Sequence, residues 1–122
     1  MAHILLVEDE VLVSILFRSI LEAEGHRVTV AADGVAGLEA DARDPADAVV
    51  TDFRMPRMNG GEMLARLRQR RPGLPAIVVT GYAGEVNVLG PLTSVLAKPV
   101  SPGELTRRLT LLFTDSATAK RF

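Results

Sequence analysis

Short apolar runs closed by polar residues recur along this chain, and between them apolar positions fall at helical spacing. Ile4–Val7 is a continuous apolar run stopped by Glu8 and Asp9. A run of that length without alternation suits a strand covered on both faces, as in a parallel sheet. From Val11 to Ala23, the residues Leu12, Ile15, Leu16 and Ile20 are spaced as on one helix face, with Gly25 as the stop. Val28–Val30 reads as a second strand, and Asp33-Gly34 turns into a helix with Val35, Leu38 and Ala42 inward. Ala48–Val50 is a third strand, ended by Thr51-Asp52.

The stretch from Arg54 to Gly61 holds Pro56, Asn59, Gly60 and Gly61, the composition of a loop. Glu62–Arg71 follows as a helix with Met63, Leu64 and Leu67 inward, stopped by Pro72-Gly73. Ala76–Val79 is a fourth strand ended by Thr80-Gly81, Gly84–Gly90 leaves room only for a short helix, and Ser94–Ala97 is a fifth strand ended by Lys98-Pro99. Ser101 and Glu104 have the spacing of a capping box. Leu105, Leu109, Leu112 and Phe113 give the last helix its inner stripe, and Thr114–Phe122 carries no apolar period and reads as a flexible tail. Five repeats of strand then helix predict an α/β domain over residues 1–113, a doubly wound parallel sheet with helices on both faces.

Composition narrows the chemistry. The chain has 122 residues, one domain's worth, and no cysteine, which removes thiolate catalysis, disulfides and Cys-ligated metals. Fourteen basic residues stand against fifteen acidic ones, so net charge gives no reason to expect nucleic acid or an anionic membrane as partner. Arg66, Arg68, Arg70 and Arg71 cluster locally, which a solvated helix face explains. No apolar run is long enough for a signal peptide or membrane span, so a cytoplasmic protein is expected. The initiating Met and the aperiodic tail favour a small protein complete in itself over a piece cut from a longer one.

In a doubly wound sheet the ligand site lies beyond the carboxyl ends of the strands. The residues ending the predicted strands here are Glu8 and Asp9, Asp52, Thr80 and Lys98. Three crowded carboxylates repel unless a cation neutralises them, and oxygen ligands without His or Cys favour a hard ion such as Mg²⁺, with Mn²⁺ as a substitute. Asp52 then suits a nucleophile that forms an acyl phosphate. Lys98 would supply a point charge to the phosphoryl group and Thr80 a hydroxyl donor.

The pieces Leu5-Leu6-Val7-Glu8-Asp9-Glu10, Asp52-Phe53-Arg54-Met55-Pro56-Arg57-Met58-Asn59-Gly60, Thr80-Gly81-Tyr82 and Lys98-Pro99, in this order and spacing, resemble the receiver domains of two-component response regulators. The resemblance covers about residues 3–113 and implies a flavodoxin-like (β/α)5 fold with strand order 2-1-3-4-5. It implies phosphoryl acceptance on Asp52 from a histidine kinase or histidine phosphotransfer protein, with slow self-dephosphorylation. It implies Mg²⁺ on Asp9, Asp52 and the backbone carbonyl of Arg54 with help from Glu8, and a cis Lys98-Pro99 peptide. The kinase, the downstream protein and any homodimer are not named by the sequence.

Two features depart from the family pattern. Receivers carry Tyr or Phe three residues before the lysine, where this chain has Val95, and valine cannot make the aromatic swing that reports phosphorylation. The stretch from Thr80 to Lys98 is also a few residues shorter than usual, which suits stand-alone or hybrid-kinase receivers. Tyr82 is the chain's one tyrosine, a candidate switch or a cover over the site, and with Arg54 it is expected to crowd an attacking water. A phosphorylation-independent binding module on the same fold is the alternative. A haloacid dehalogenase-like phosphatase is disfavoured because Arg54 stands where those enzymes need a second acid, and no glycine-rich dinucleotide or phosphate loop follows a strand. His3 and His26 are not placed to serve as phosphohistidine or metal ligand.

Overall fold

The computed structural model describes residues 2–81 and 92–120. Along these residues run β1 (His3–Val7), α1 (Val11–Ala23), β2 (Arg27–Ala31), α2 (Gly34–Arg43), β3 (Ala48–Asp52), α3 (Gly60–Arg70), β4 (Ala76–Thr80), β5 (Thr93–Ala97) and α4 (Pro102–Lys120). The strands form one sheet in the order β2-β1-β3-β4-β5, every neighbouring pair parallel. That is the doubly wound, flavodoxin-like order expected. Two strands run on to include their polar end residue: Asp52 closes β3 and Thr80 closes β4. The short helix expected over Gly84–Gly90 lies outside the described residues.

Alternation along β1 divides the core. Leu5 and Val7 point into one apolar cluster with α2 and α3, whereas Ile4 and Leu6 point into a second with α1 and α4. All five residues of β1, β3 and β4 are buried, which is why those segments read as unbroken runs. Each fully buried Leu, Ile or Val contributes about 1.5–3 kcal/mol, so the three central strands anchor the domain.

The helices correct several expectations. On α1 the buried positions are Ser14, Phe17 and Leu21, with Val13 and Ile20 packed beside them, whereas Leu12, Ile15 and Leu16 face solvent. The first half of α1 is apolar almost all round, so periodicity alone cannot choose its inner face. Ser14 is tolerated there because its hydroxyl donates to the Val11 carbonyl at 2.7 Å. Gly25 does stop the helix: with φ 89° it sets Gly25 N–H on Glu22 O and His26 N–H on Leu21 O, a Schellman closure.

On α2 the inner face is Gly34, Gly37, Ala40 and Asp41; Ala42 is exposed, and Val35 and Leu38 are only partly buried. Asp41 stands inside because Arg71 reaches it, at 2.6 Å, while Arg71 also donates to the Ala46 carbonyl. Arg68 likewise donates to the Leu74 carbonyl at 2.9 Å. Two of the four clustered arginines are therefore internal staples rather than members of a solvated face. Helix α3 begins at Gly60, two residues earlier than read, because the Asn59 side chain accepts from Glu62 N–H at 2.9 Å and caps it. The last helix is capped by Ser101 Oγ, which accepts from Glu104 N–H at 3.2 Å. It buries Leu105, Leu109 and Leu112 as read and continues to Lys120, past the end expected from its apolar stripe.

Candidate functional site

Strand order places β1 and β3 side by side and β4 beside β3, so their carboxyl ends converge. Val7 pairs with Thr51 and Asp52 with Val79, which sets Glu8, Asp52 and Thr80 on one rim. Thr80 pairs with Ala97, and Lys98 N–H donates to the Thr80 carbonyl at 2.9 Å, bringing the lysine to the same rim from β5. The sheet register thus assembles residues from four separate parts of the chain.

Ligand oxygens of Glu8, Asp9 and Asp52 lie within 4.8 Å of one another. Glu8 and Asp52 are buried, at 3% and 8% exposure, while Asp9 is open to solvent. Lys98 Nζ donates to Asp52 Oδ2 at 3.2 Å and stands 3.9 Å from Glu8 Oε1. The other Asp52 oxygen accepts from Phe53 N–H at 2.8 Å, and Glu8 Oε2 accepts from Glu10 N–H at 3.1 Å. The Lys98-Pro99 peptide is cis, as expected.

Burial pushes the Glu8 carboxyl up to about 7; the nearby Asp52 charge adds to this, and the Glu10 N–H and Lys98 only partly oppose it. Lys98 is affected in the opposite sense. Burial disfavours its charge, but Glu8 and Asp52 outweigh burial and raise its pKa above the ordinary value. A buried acid that resists ionisation, a second acid open to water and a third held by an ammonium form a donor set of hard oxygens. It fits a small divalent cation, which would relieve the repulsion that burial magnifies.

Thr80 is buried at the end of β4. Arg54 lies two residues beyond Asp52 with its side chain exposed. Val95 is half-buried in β5 opposite Val78 and packs against the cluster beneath α2 and α3. Tyr82 lies outside the described residues. His3 is buried at the opposite end of the sheet, its ring contacting Thr29 Oγ1 at 2.7 Å and the Pro45 carbonyl at 3.1 Å, consistent with a packing role.

Sequence reading missed one residue at the site. Gly60 N–H donates to the Phe53 carbonyl at 2.7 Å, and any β-carbon at Gly60 would collide with the Asp52 carbonyl oxygen. Its signal was present: an Asn-Gly pair reads equally as a turn or as a cap followed by a close approach.

The profile of the response regulator receiver domain matches residues 4–110. The chain belongs to the response regulator receiver domain family of two-component systems. The transcriptional regulatory protein GlrR of Escherichia coli is 31% identical over 97% of this chain, which spans 28% of that protein. A 14.6 kDa protein from the sodA1 3' region of Leptolyngbya boryana is 40% identical over 85% of this chain and 84% of its own length. A CheY-like receiver domain structure from Methanospirillum hungatei superimposes with a TM-score of 0.85, at 27% identity over 98% of both chains. This receiver domain therefore spans little more than a quarter of the first curated relatives it matches. Among its described residues no helix is long and apolar enough to cross a membrane.

Proposed function

We propose that Asp52 accepts a phosphoryl group from the phosphohistidine of a histidine kinase or histidine phosphotransfer protein. The observation that carries this is the pairing of Lys98 with Asp52 at 3.2 Å inside a cluster of three carboxylates. Glu8, Asp9, Asp52 and the backbone carbonyl of Arg54 would hold Mg²⁺. The ion would neutralise charge on the phosphoryl oxygens during an in-line transfer. Asp52 Oδ attacks phosphorus, the P–N bond breaks, and its electron pair stays on the departing nitrogen, so that the donor leaves as neutral histidine with its proton on the other ring nitrogen. Lys98 then exchanges its contact with the carboxylate for one with a phosphoryl oxygen, and Thr80 supplies a hydroxyl to another.

The domain would pass on its state by protein contact or by relaying the phosphoryl group to another histidine. No nucleic-acid contact is part of this reading, since neither charge nor site chemistry supports one. Val95 favours one alternative, a binding module that works without phosphorylation, because no aromatic ring stands at the usual reporting position.

Incubation with Mg²⁺ and acetyl phosphate, followed by intact-mass measurement, separates the two. A single phosphoryl adduct is expected, lost with chelator and in Asp52→Asn. The absence of an adduct from acetyl phosphate and from phosphohistidine donors alike would leave only the binding module.

A further inference from the structure

Outside the acid cluster, the loop from Phe53 to Asn59 contains the most unusual backbone near the site. Arg57 has φ 69°, a region that a residue with a β-carbon disfavours roughly ten-fold or more. Met58 N–H donates to the Pro56 carbonyl at 2.8 Å, so Arg57 is the apex of a tight γ-turn of the strained hand. Nothing in the side chain of arginine favours that conformation, so it persists only where its surroundings impose it.

The surroundings that impose it belong to α2. Asp33 Oδ2 accepts from Arg57 at 2.9 Å from Nε and 2.7 Å from a terminal nitrogen. Asp33 Oδ1 meanwhile caps α2 by accepting from Ala36 N–H at 2.8 Å. Both carboxylate oxygens are thus assigned, and the Ala36 N–H and then Arg57 hold the group below the usual carboxylate range. Gly34 leaves the room this needs, since a β-carbon there would meet the Met58 carbonyl oxygen at 2.8 Å. Met58 itself is buried. At its two ends the same loop is tied to the site, because Gly60 N–H bonds to Phe53 O and Phe53 N–H to Asp52 Oδ1.

We infer that Asp33 and Arg57 form a latch that holds the loop after β3 in its γ-turn and so preforms the rim of the acid site for its cation. Asp33 and Arg57 are positioning residues, touching neither metal nor phosphoryl group. The inference rests on the Mg²⁺ reading above, and it separates two roles that a single ion pair confounds: stabilising the fold and setting the backbone.

Arg57→Ala and Arg57→Gly both remove the ion pair, but only glycine adopts a positive φ without strain. Asp33→Asn keeps an oxygen for the Ala36 N–H and removes the charge. Mg²⁺ affinity is measured by calorimetry on the intact chain, with thermal melts as the control for folding. Arg57→Ala and Asp33→Asn should bind Mg²⁺ about three- to ten-fold more weakly. Arg57→Gly, alone or combined with Asp33→Asn, should stay within about two-fold of the parent chain. A pair that only stabilises the fold would lower the melting temperature of the variants while leaving the Mg²⁺ affinity of alanine and glycine the same. Equal Mg²⁺ affinity in Arg57→Ala and the parent, or equal losses in alanine and glycine, would overturn the latch. Should the parent chain bind no Mg²⁺, the metal reading fails separately, and the latch is judged from the backbone. A strong intraresidue HN–Hα NOE at residue 57, the mark of positive φ, should then be present in the parent and lost in Asp33→Asn. Its persistence in that variant would overturn the latch.

Discussion

Glu8 is a buried acid whose ionisation costs the metal-free fold. Its pKa rises from 4.5 in an exposed setting to about 7 in the folded domain, so between those values the native state holds a proton that the unfolded chain has released. The contribution of Glu8 to stability is therefore complete below the lower value and is lost as pH rises through the upper one. Glu8→Gln should melt at a higher temperature than the parent near pH 8 in chelator, by up to about 3 kcal/mol, and show little difference near pH 4. The same variant should bind Mg²⁺ more weakly, and Mg²⁺ binding to the parent below about pH 7 should release a proton, seen as buffer-dependent heat in calorimetry. Gly60→Ala should destabilise the domain by about 1–3 kcal/mol in urea unfolding, because the methyl must displace the backbone of Asp52. Asp9, Asp52, Thr80 and Lys98 stand out in the sequence because each lies at or just beyond the end of an apolar run. Gly60 was signalled only ambiguously, since Asn59-Gly60 reads equally as a turn or as a cap before a close approach.

The strands were read closely and the helix faces less so. A strand buried on both sides leaves an unbroken apolar run, and its end is marked by the first polar residue. A helix that covers only one face of a sheet must be rotated into place by its neighbours. Asp41 shows this: its position on α2 looks polar and outward, yet it is inside, bonded to an arginine that follows α3. Arg71→Met should cost about 3–5 kcal/mol in urea unfolding, because it leaves a buried carboxylate without its partner. Adding Asp41→Leu should recover much of that loss, since an apolar pair can fill the same space. An ion pair between residues 30 positions apart is invisible to any local pattern.

At the scale of the whole molecule, four of the six large hydrophobic side chains exposed among the described residues belong to α1: Val11, Leu12, Ile15 and Leu16. They begin immediately after the acidic residues of the site. Scattered exposed apolar residues carry no message, but a contiguous patch beside a reactive group suits a docked partner. In the proposed phosphotransfer the donor histidine must approach Asp52 over this rim. Leu12→Glu with Ile15→Glu should therefore lower phosphorylation by a phosphohistidine donor about ten-fold or more, while labelling by acetyl phosphate and the melting temperature stay close to the parent. Equal losses from both donors would instead indicate damage to the site.

The positions of the strands along the chain, the polar residues that end most of them and the family's motif were legible locally, because burial on two faces of the central strands writes itself into consecutive residues. Tertiary packing alone decided which face of α1 is buried, that Asp41 turns inward, that Gly60 must lack a side chain and that Asp33 reaches Arg57. Each of these depends on what a distant segment presents to the residue. A chain read one window at a time records its own pattern and not its neighbour's.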